Sequence, residues 1–252
     1  MSQKNDSLVK KSGFNPWTGT LVSLGILSTW AISFGAAITQ INLSSTSPFV
    51  IAIVAYTISF LFIGLFITAH DSMHGTLAPH SRSINLRLGQ LSAALYGAFS
   101  LHQLRSAHFK HHEQPASPND PDYDSKDGQS HPVVWWLQFM WRYFTFRQFV
   151  ILAAIANVLI HGFGISDRNI IAFWIVPSLW SSFQLFYFGT YLPHRSRSGD
   201  PHKDAHHARS NRYPAWLSFL TCYHFGYHWE HHQHPSLAWW QLPAARQKDP
   251  RL

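Results

Sequence analysis

The stretch PFVIAIVAYTISFLFIGLFITAHDSMH, residues 48–74, decides the fold, because a long apolar run leads directly into two histidines. Its apolar part, Pro48–Ala69, is long enough to cross a hydrocarbon core of about 30 Å as a helix. His70 and His74 follow at positions i and i+4, which share one face of a helix. Gly75 comes next, as is common after a last helical turn. The stretch predicts a membrane-spanning helix that ends in two metal ligands, with plain interfacial histidines as the alternative.

Further apolar stretches predict three more membrane spans. The chain contains no Lys, Arg, Asp or Glu between Lys11 and Asp71. The additional candidates are Trp17–Ile41, the shorter Gln148–Gly164, and Asn169–Pro193, which Pro177 interrupts. For each of them the alternative is a buried core helix. We therefore expect an all-α integral membrane protein with about four transmembrane helices and a cytoplasmic, histidine-rich helical cap that holds a di-metal centre.

Charge near the chain start predicts the orientation. Lys4, Lys10 and Lys11 precede the first span, and positive charge beside a span favours the cytoplasmic side. Two helical hairpins then return the chain to that side at His70 and at His194. Both termini and all the histidine motifs are thus expected in the cytoplasm. We expect one domain over residues 1–252, with tails at 1–16 and 244–252, and no cleavable signal peptide.

Two further histidine motifs repeat one spacing. They read His108-Phe-Lys-His111-His112 and His228-Trp-Glu-His231-His232. One copy could arise by chance in a His-rich chain, but two copies beside the His70 and His74 pair indicate a site. Imidazole suits iron, zinc, copper or nickel, and eight imidazoles are too many for one ion and a sensible number for two. His194 ends the last predicted span at the level of the other ligands and is a ninth candidate.

Three more residues in or beside these motifs each have two possible roles. His224 lies one turn before His228, so it is either a ligand or a neighbour of the ligands. Asp71 and Glu230 could orient imidazoles by accepting their second N–H, or could simply neutralise a cationic surface. The other histidines have no such spacing and are expected at the surface or in ordinary hydrogen bonds: His80, His102, His131, His161, His202, His206, His207 and His234.

Composition excludes several other kinds of site. The lone Cys222 rules out a disulfide framework, a cysteine zinc site and an iron–sulfur cluster. Glu113 and Glu230 are the only glutamates, so the four-Glu centre of soluble di-iron bundles cannot form. The motif His-Glu-x-x-His does not occur. The net charge of +7 is spread over membrane-proximal loops, which favours the positive-inside interpretation over nucleic-acid binding.

Two other patterns have less specific interpretations. Asp120, Asp122 and Asp124 alternate as in a calcium loop, but Ser125 and His131 occupy its glycine and glutamate positions, so the loop is interpreted as structural. Several aromatic residues could line a channel for a long apolar substrate or form an interfacial belt. They are Trp135, Trp136, Trp141, Phe144, Phe183, Phe186 and Tyr187.

These motifs resemble those of the membrane fatty-acid desaturase/hydroxylase superfamily, and most closely those of its bacterial β-carotene 4-ketolases. The likeness runs from about Trp17 to Pro243 and departs at no metal position. Beyond the three histidine motifs, it rests on Asn119-Asp-Pro-Asp122, Phe188-Gly-Thr-Tyr-Leu-Pro-His194 and the extension Tyr223-His-Phe-Gly-Tyr-His228.

The resemblance implies a non-haem di-iron centre that uses O₂ to oxidise the C4 methylene of a β-ionone ring to a ketone. Two successive hydroxylations would give a geminal diol that loses water. It also implies nine histidine ligands, an external electron donor of the ferredoxin type, and a carotenoid that reaches the site from the lipid phase. Iron is preferred to zinc because zinc is redox-inert.

Two other functions compete with this interpretation. A fatty-acid desaturase or alkyl hydroxylase would use the same metal centre, and only the family-specific flanking residues argue against it. A His-rich membrane metal transporter belongs to a different class. A transporter is expected to place its ligands at mid-membrane between broken helices, whereas these ligands cluster at helix ends on one side.

Overall fold

A computed structural model of the chain describes residues 15–124, 126, 128–196 and 204–248. Within these ranges every regular element is helical, as expected from the sequence. The lysines used to predict the orientation, together with Ser125 and His202, lie outside the described residues. The principal helices are α1 (Thr18–Gln40), α2 (Pro48–His74), α3 (Arg82–Gly97), α4 (Leu101–Glu113), α5 (Pro132–Tyr143), α6 (Phe146–Gly162), α7 (Asp167–His194), α8 (Ala215–Cys222), α9 (His228–Gln233) and α10 (Leu242–Gln247).

Three helices, α1, α2 and α7, are long and apolar enough to cross a membrane. The helices α5 and α6 would count as a fourth span together, but they meet at an angle of 87°. The sequence predicted a membrane span at Gln148–Gly164, which covers most of α6, and did not predict that α6 would form a span only together with α5 and with this bend. The chain turns because Phe144 is extended and Thr145 caps α6, with Gln148 completing a capping box. Three spans, or four with the bent pair, make this an integral membrane protein.

The helix α2 is the central element of the fold, and its apolar side chains form the main core with those of α1 and α7. Ile58 and Phe62 are fully buried against Trp30 and Phe173. At the end remote from the histidines, the Asn169 amide donates hydrogen bonds to the carbonyls of Ile38 and Ile41 at 3.1 and 2.8 Å. These are end carbonyls of α1 that lack a partner within their own helix. The bond joins α1 to α7.

The helix α7 remains continuous through two prolines because it widens before each one. A proline lacks an N–H and clashes with the carbonyl four residues earlier. For Pro177 this earlier residue lies in the π-helical turn Ile171–Ile175. For Pro193 it lies in the π-helical turn Tyr187–Tyr191. The wider turns absorb the mismatch. As a result α7 continues past Pro193 and ends at His194, which places this histidine in its last turn.

A close contact with α3 fixes the end of α2 that carries the first histidines. The Ser72 hydroxyl donates to the Asn85 carbonyl at 2.8 Å, and the Asn85 amide donates to the Ser72 carbonyl at 2.8 Å. The helices can approach this closely because α3 has Gly89 at the contact, where a Cβ would lie 2.0 Å from Ser72 Oγ. Gly75 then ends α2 in the left-handed region at φ 77°. The turn that bears His70 and His74 is therefore held rigidly.

Replacing Gly89 by alanine should loosen this contact. The added methyl group overlaps Ser72 Oγ and Cβ, so we expect a loss of about 1–3 kcal/mol of stability. Thermal unfolding of the detergent-solubilised protein measures the effect. Gly25→Ala is the matched control, because a Cβ at that exposed position of α1 meets nothing within 4 Å. Equal transition temperatures for the two variants would contradict the packing described here.

Candidate metal centre

Four segments bring the nine predicted ligand histidines together: the last turn of α2, the helix α4, the last turn of α7 and the short helix α9. They form two adjacent groups, and all nine rings are buried or half-buried. We name these groups the first cluster and the second cluster. The first cluster is His70, His74, His108, His112 and His231, and the second cluster is His111, His194, His228 and His232.

In the first cluster the Nε2 atoms converge on one point. His108 Nε2 lies 3.0 Å from His70 Nε2 and 2.7 Å from His74 Nε2. His231 Nε2 lies 3.2 Å from His70 Nε2. His112 Nε2 completes the group at 3.0 Å from both His108 Nε2 and His231 Nε2.

The second cluster is similar and lies beside the first. His232 Nε2 is 3.0 Å from His111 Nε2 and 3.1 Å from His228 Nε2. The His194 ring stands 4.8 Å, centroid to centroid, from the rings of both His111 and His228. The rings of His112 and His232 are 4.3 Å apart, which is where the two clusters touch.

Each His-x-x-His-His motif is divided between the clusters. In the α4 motif, the i and i+4 residues His108 and His112 join the first cluster, whereas His111 joins the second. In the α9 motif the i and i+4 residues join the second cluster and His231 joins the first. Adjacent residues on a helix point about 100° apart, so the i+3 and i+4 side chains cannot aim at the same point. Each motif thus provides two histidines to one cluster and one histidine to the other.

These distances fit a pair of bound metal ions better than they fit hydrogen bonds. A neutral imidazole has one N–H and one acceptor nitrogen, so a single Nε2 can make one in-plane hydrogen bond. His108 Nε2, however, has three Nε2 neighbours within 3.0 Å. An imidazole nitrogen binds a first-row transition ion at about 2.1 Å, so two nitrogens on one ion lie about 3.0–3.4 Å apart. Five convergent nitrogens and four others beside them therefore suit two ions.

Hydrogen bonds at the opposite ring nitrogen prepare two residues of the second cluster for this role. His111 Nδ1 lies 2.9 and 3.0 Å from the carboxylate oxygens of Asp120, so Nδ1 carries the ring proton and donates a hydrogen bond to this carboxylate. His194 Nδ1 donates to the His207 carbonyl at 2.9 Å. In the neutral form of both rings Nε2 is then the unprotonated nitrogen, which is the one available to a metal ion.

Asp120 is a buried contact of the second cluster that the sequence interpretation did not include. The loop that contains it was interpreted as a structural excursion, yet Asp120 is buried and lies directly behind His111. Its carboxylate also accepts the backbone N–H groups of Ala116 and Asp122, at 2.9 and 2.8 Å. The motif Asn119-Asp-Pro-Asp122, only a few residues after His112, was the available signal.

Electrostatics keep most of these imidazoles neutral, which is the form that binds metal. Burial, reinforced by the neighbouring imidazoles, lowers the pKa of His108, His228, His231 and His232 well below its ordinary value. For His111, burial also acts to lower the pKa, but the hydrogen bond to Asp120 and the nearby carboxylates outweigh it and raise the pKa.

The residues with an open assignment have different positions. Asp71 lies behind His70, with Oδ1 at 3.4 Å from His70 Nδ1 and Oδ2 accepting the Trp239 backbone N–H at 3.1 Å. The carboxylate of Glu230 does not face an imidazole in the described structure; it pairs with Arg246 at 2.8 Å and accepts from the Ser210 hydroxyl. His224 lies outside both clusters, stacked on Tyr227 with ring centroids 5.6 Å apart.

The histidines expected at the surface mostly lie there. Exposed side chains are those of His80, His102, His131, His161 and His207. His206 and His234 are half-buried. His206 Nε2 is 2.9 Å from Gln233 Oε1, and its ring stands 6.0 Å from that of His232. The backbone carbonyl of His207 accepts the hydrogen bond from His194 Nδ1 in the second cluster.

An apolar cavity of about 580 Å³ leads from the two clusters outwards between α6 and α7. His70 and His108 of the first cluster and His111 and His228 of the second form its inner end. Towards the outer end the wall becomes exposed, with Phe149 at 56%, Ile175 at 45% and Leu179 at 48%. Phe144 and Phe186, two of the aromatic residues considered for a channel, line this cavity.

The other aromatic candidates have different surroundings. Trp135 is fully buried and its indole N–H donates to the Asp122 carbonyl at 3.0 Å. Trp136 donates to the Ser182 hydroxyl at 3.3 Å. Trp141 is 89% exposed, as expected for an interfacial belt. Phe183 packs edge-on against Trp136, and Tyr187 stacks on Tyr191.

Comparison with known proteins gives consistent results. The family described as fatty acid desaturase matches residues 45–171 and 138–251. A β-carotene ketolase from Paracoccus sp. is 39% identical over 234 residues, which cover 92% of this chain and 93% of the relative. A zeaxanthin 4-ketolase from Chlamydomonas reinhardtii is 38% identical, with 91% of this chain and 53% of the relative covered. A β-carotene ketolase from Haematococcus lacustris is 36% identical, with 90% and 78% covered.

The matched regions include all four segments that carry the clustered histidines. The ketolase relatives cover nine-tenths of the chain at identities well above those of chance resemblance. On this evidence the chain belongs to the fatty acid desaturase family and, within it, to the group that contains the β-carotene ketolases.

Proposed function

We propose that this protein is a membrane carotenoid ketolase that oxidises the C4 methylene of a β-ionone ring to a ketone. One observation carries the proposal: two convergent imidazole clusters form the inner end of an apolar cavity. The relatives named β-carotene ketolase and zeaxanthin 4-ketolase supply the substrate class. A carotenoid is a long hydrocarbon, and an apolar cavity that ends at a metal centre suits it.

The reaction balances as two hydroxylations followed by loss of water. In each hydroxylation one O₂, two electrons and two protons are consumed, one oxygen atom enters a C4–H bond, and the other leaves as water. The first step gives a 4-hydroxy ring and the second a geminal diol. The diol loses water when the proton of one hydroxyl passes to the other, and the C4 ketone remains.

We propose that each cluster holds one non-haem iron ion. The ligands would be the nine clustered histidines, with Asp71 behind His70 and Asp120 behind His111 as orienting groups. Iron, when bound, supplies the activation of O₂, which redox-inert zinc cannot do. The remaining requirements fall on the protein: correctly oriented rings, a site from which water is excluded, and placement of C4 at the inner end of the cavity.

The cavity indicates a path for the substrate. Its exposed outer wall belongs to α6 and α7, which are the helices that would face lipid in the bent pair and in the last span. A carotenoid dissolved in the bilayer could insert one ring between these helices and leave its polyene chain in the outer part of the cavity. The ring would then move towards His70 and His111 without passing through water.

We also propose that the histidine clusters and both termini face the cytoplasm, where the electron donor docks. The ligands lie together on one side of the structure, and Lys110 is exposed on α4 between ligand residues. The chain carries a net charge of +7. A basic surface of this kind suits an acidic donor of the ferredoxin type.

An acyl-lipid desaturase or alkyl hydroxylase would use the same metal centre, so substrate identity is the property to test. The chain should be expressed in a host that makes β-carotene, with pigments and acyl lipids analysed by chromatography and mass spectrometry. We expect 4-keto carotenoids and an unchanged degree of lipid unsaturation. His108→Ala should abolish the ketone because it removes an imidazole from the centre of the first cluster. New double bonds in the lipids without keto carotenoids would favour the rival.

Asp120 gives a prediction about metal retention. Asp120→Asn removes the negative charge behind His111, and loss of such an orienting partner typically costs 10–100-fold in metal affinity, so we expect roughly that decrease. Iron retained by the purified protein across a series of chelator concentrations measures it. Asp167→Asn, at the start of α7, is the control. Equal chelator resistance in the two variants would show that Asp120 does not support the centre.

A further inference from the structure

One polar pair stands out at the inner end of the substrate cavity. Asp122 and Tyr143 both line the cavity, and the Tyr143 hydroxyl donates a short hydrogen bond to Asp122 Oδ1. Asp122 lies beside the second cluster, with Oδ2 at 3.9 Å from His111 Nδ1, which is too far for a hydrogen bond. A carboxyl and a phenol therefore face the space in which C4 would be oxidised.

The two side chains are held in place from the far side of the cavity wall. The helix α5 supplies Tyr143, and its Trp135 donates to the Asp122 carbonyl at 3.0 Å. Arg142 of the same helix donates to the carbonyls of Pro121 and Tyr123 at 2.9 and 2.6 Å. The orientation of Asp122 is therefore fixed by the helix that provides its partner, and the pair is a rigid part of the wall.

A hydrocarbon ring cannot form a hydrogen bond with this pair. Burying a polar group against an apolar molecule costs free energy unless the group is hydrogen-bonded, and a carotene ring offers neither donor nor acceptor. Serine hydroxyls farther along the cavity satisfy themselves within α7: Ser178 donates to the Ile175 carbonyl and Ser182 to the Leu179 carbonyl, at 3.0 and 2.8 Å. Asp122 lines the cavity, and its carboxylate has more acceptor sites than the bond from Tyr143 uses, so a substrate hydroxyl can donate to it.

We propose that Asp122, held in position by Tyr143, accepts a hydrogen bond from the hydroxyl group of the half-oxidised ring and retains the ring for the second hydroxylation, so that the pair determines whether the product is a ketone or an alcohol. This inference rests on the proposed function. The hydroxyl formed in the first step donates to Asp122 Oδ2, while Tyr143 holds Oδ1. The retained ring keeps its remaining C4–H bond at the metal centre instead of returning to the lipid.

The variant Tyr143→Phe tests the proposal because it removes one hydroxyl and keeps the ring that packs against Phe139. In a host that makes β-carotene, we expect the ratio of 4-hydroxy to 4-keto pigment to rise roughly tenfold, as the loss of one hydrogen bond allows. Iron per chain should remain at the wild-type value. The matched control is Tyr187→Phe, which makes the same change in a ring stacked on Tyr191.

A binding measurement separates retention from a general loss of activity. The purified, oxidised protein without an electron donor is titrated with β-carotene and with 4-hydroxy-β-carotene, and bound pigment is followed by its absorbance. Wild type should bind the alcohol severalfold more tightly than the hydrocarbon, and Tyr143→Phe should lose this preference. Asp122→Asn, which keeps the side-chain shape, should weaken the preference too.

Two results would overturn the inference. One is a decrease of both the 4-hydroxy and the 4-keto pigment in Tyr143→Phe at an unchanged ratio, which is the result expected if Tyr143 has a purely structural role. The other is equal binding of the two pigments by the wild type. Failure of the proposed function is a different observation, because the wild-type protein would then produce no oxidised carotenoid at all.

Discussion

Nine imidazoles are packed against each other at this end of the molecule, and neutral imidazoles cannot satisfy one another in such numbers. A ring nitrogen makes one in-plane hydrogen bond, whereas His108 Nε2 has three nitrogen neighbours within 3.0 Å. Protonation would not help, because buried positive charges this close would repel. This arrangement therefore requires a metal centre, in which the nitrogen lone pairs bind to ions instead of facing one another. The helix ends and their capping contacts hold the imidazoles in this arrangement, and the cavity leads to it.

The fold meets the requirement by fixing helix ends rather than by building a rigid loop. The Gly89 contact holds the last turn of α2, and the widened turns of α7 carry His194 to the same level. The ion pair between Glu230 and Arg246 joins α9 to α10. Three of the four ligand-bearing segments thus have their own support. The apolar cavity then reaches the clusters from between α6 and α7, where its outer wall is exposed.

Spacing within the sequence predicted the helical class, the apolar helices and the histidines that come together, because these properties depend on residues close in the chain. It did not predict that each motif serves both clusters, since that depends on the angle between α4 and α9. The contact between Asp120 and His111 was missed because a loop must fold back on His111 before the contact exists. The bend between α5 and α6 depends on the cap at Thr145, and its effect appears only once the neighbouring helices are placed.

We propose that the two clusters each hold one iron ion through imidazole nitrogens. Metal analysis combined with X-ray absorption at the iron edge, on purified wild-type protein that makes the ketone, tests it most directly. The account predicts close to two irons per chain, with a first shell dominated by nitrogen at about 2.1 Å. A single ion per chain, or zinc in place of iron in the active protein, would contradict it.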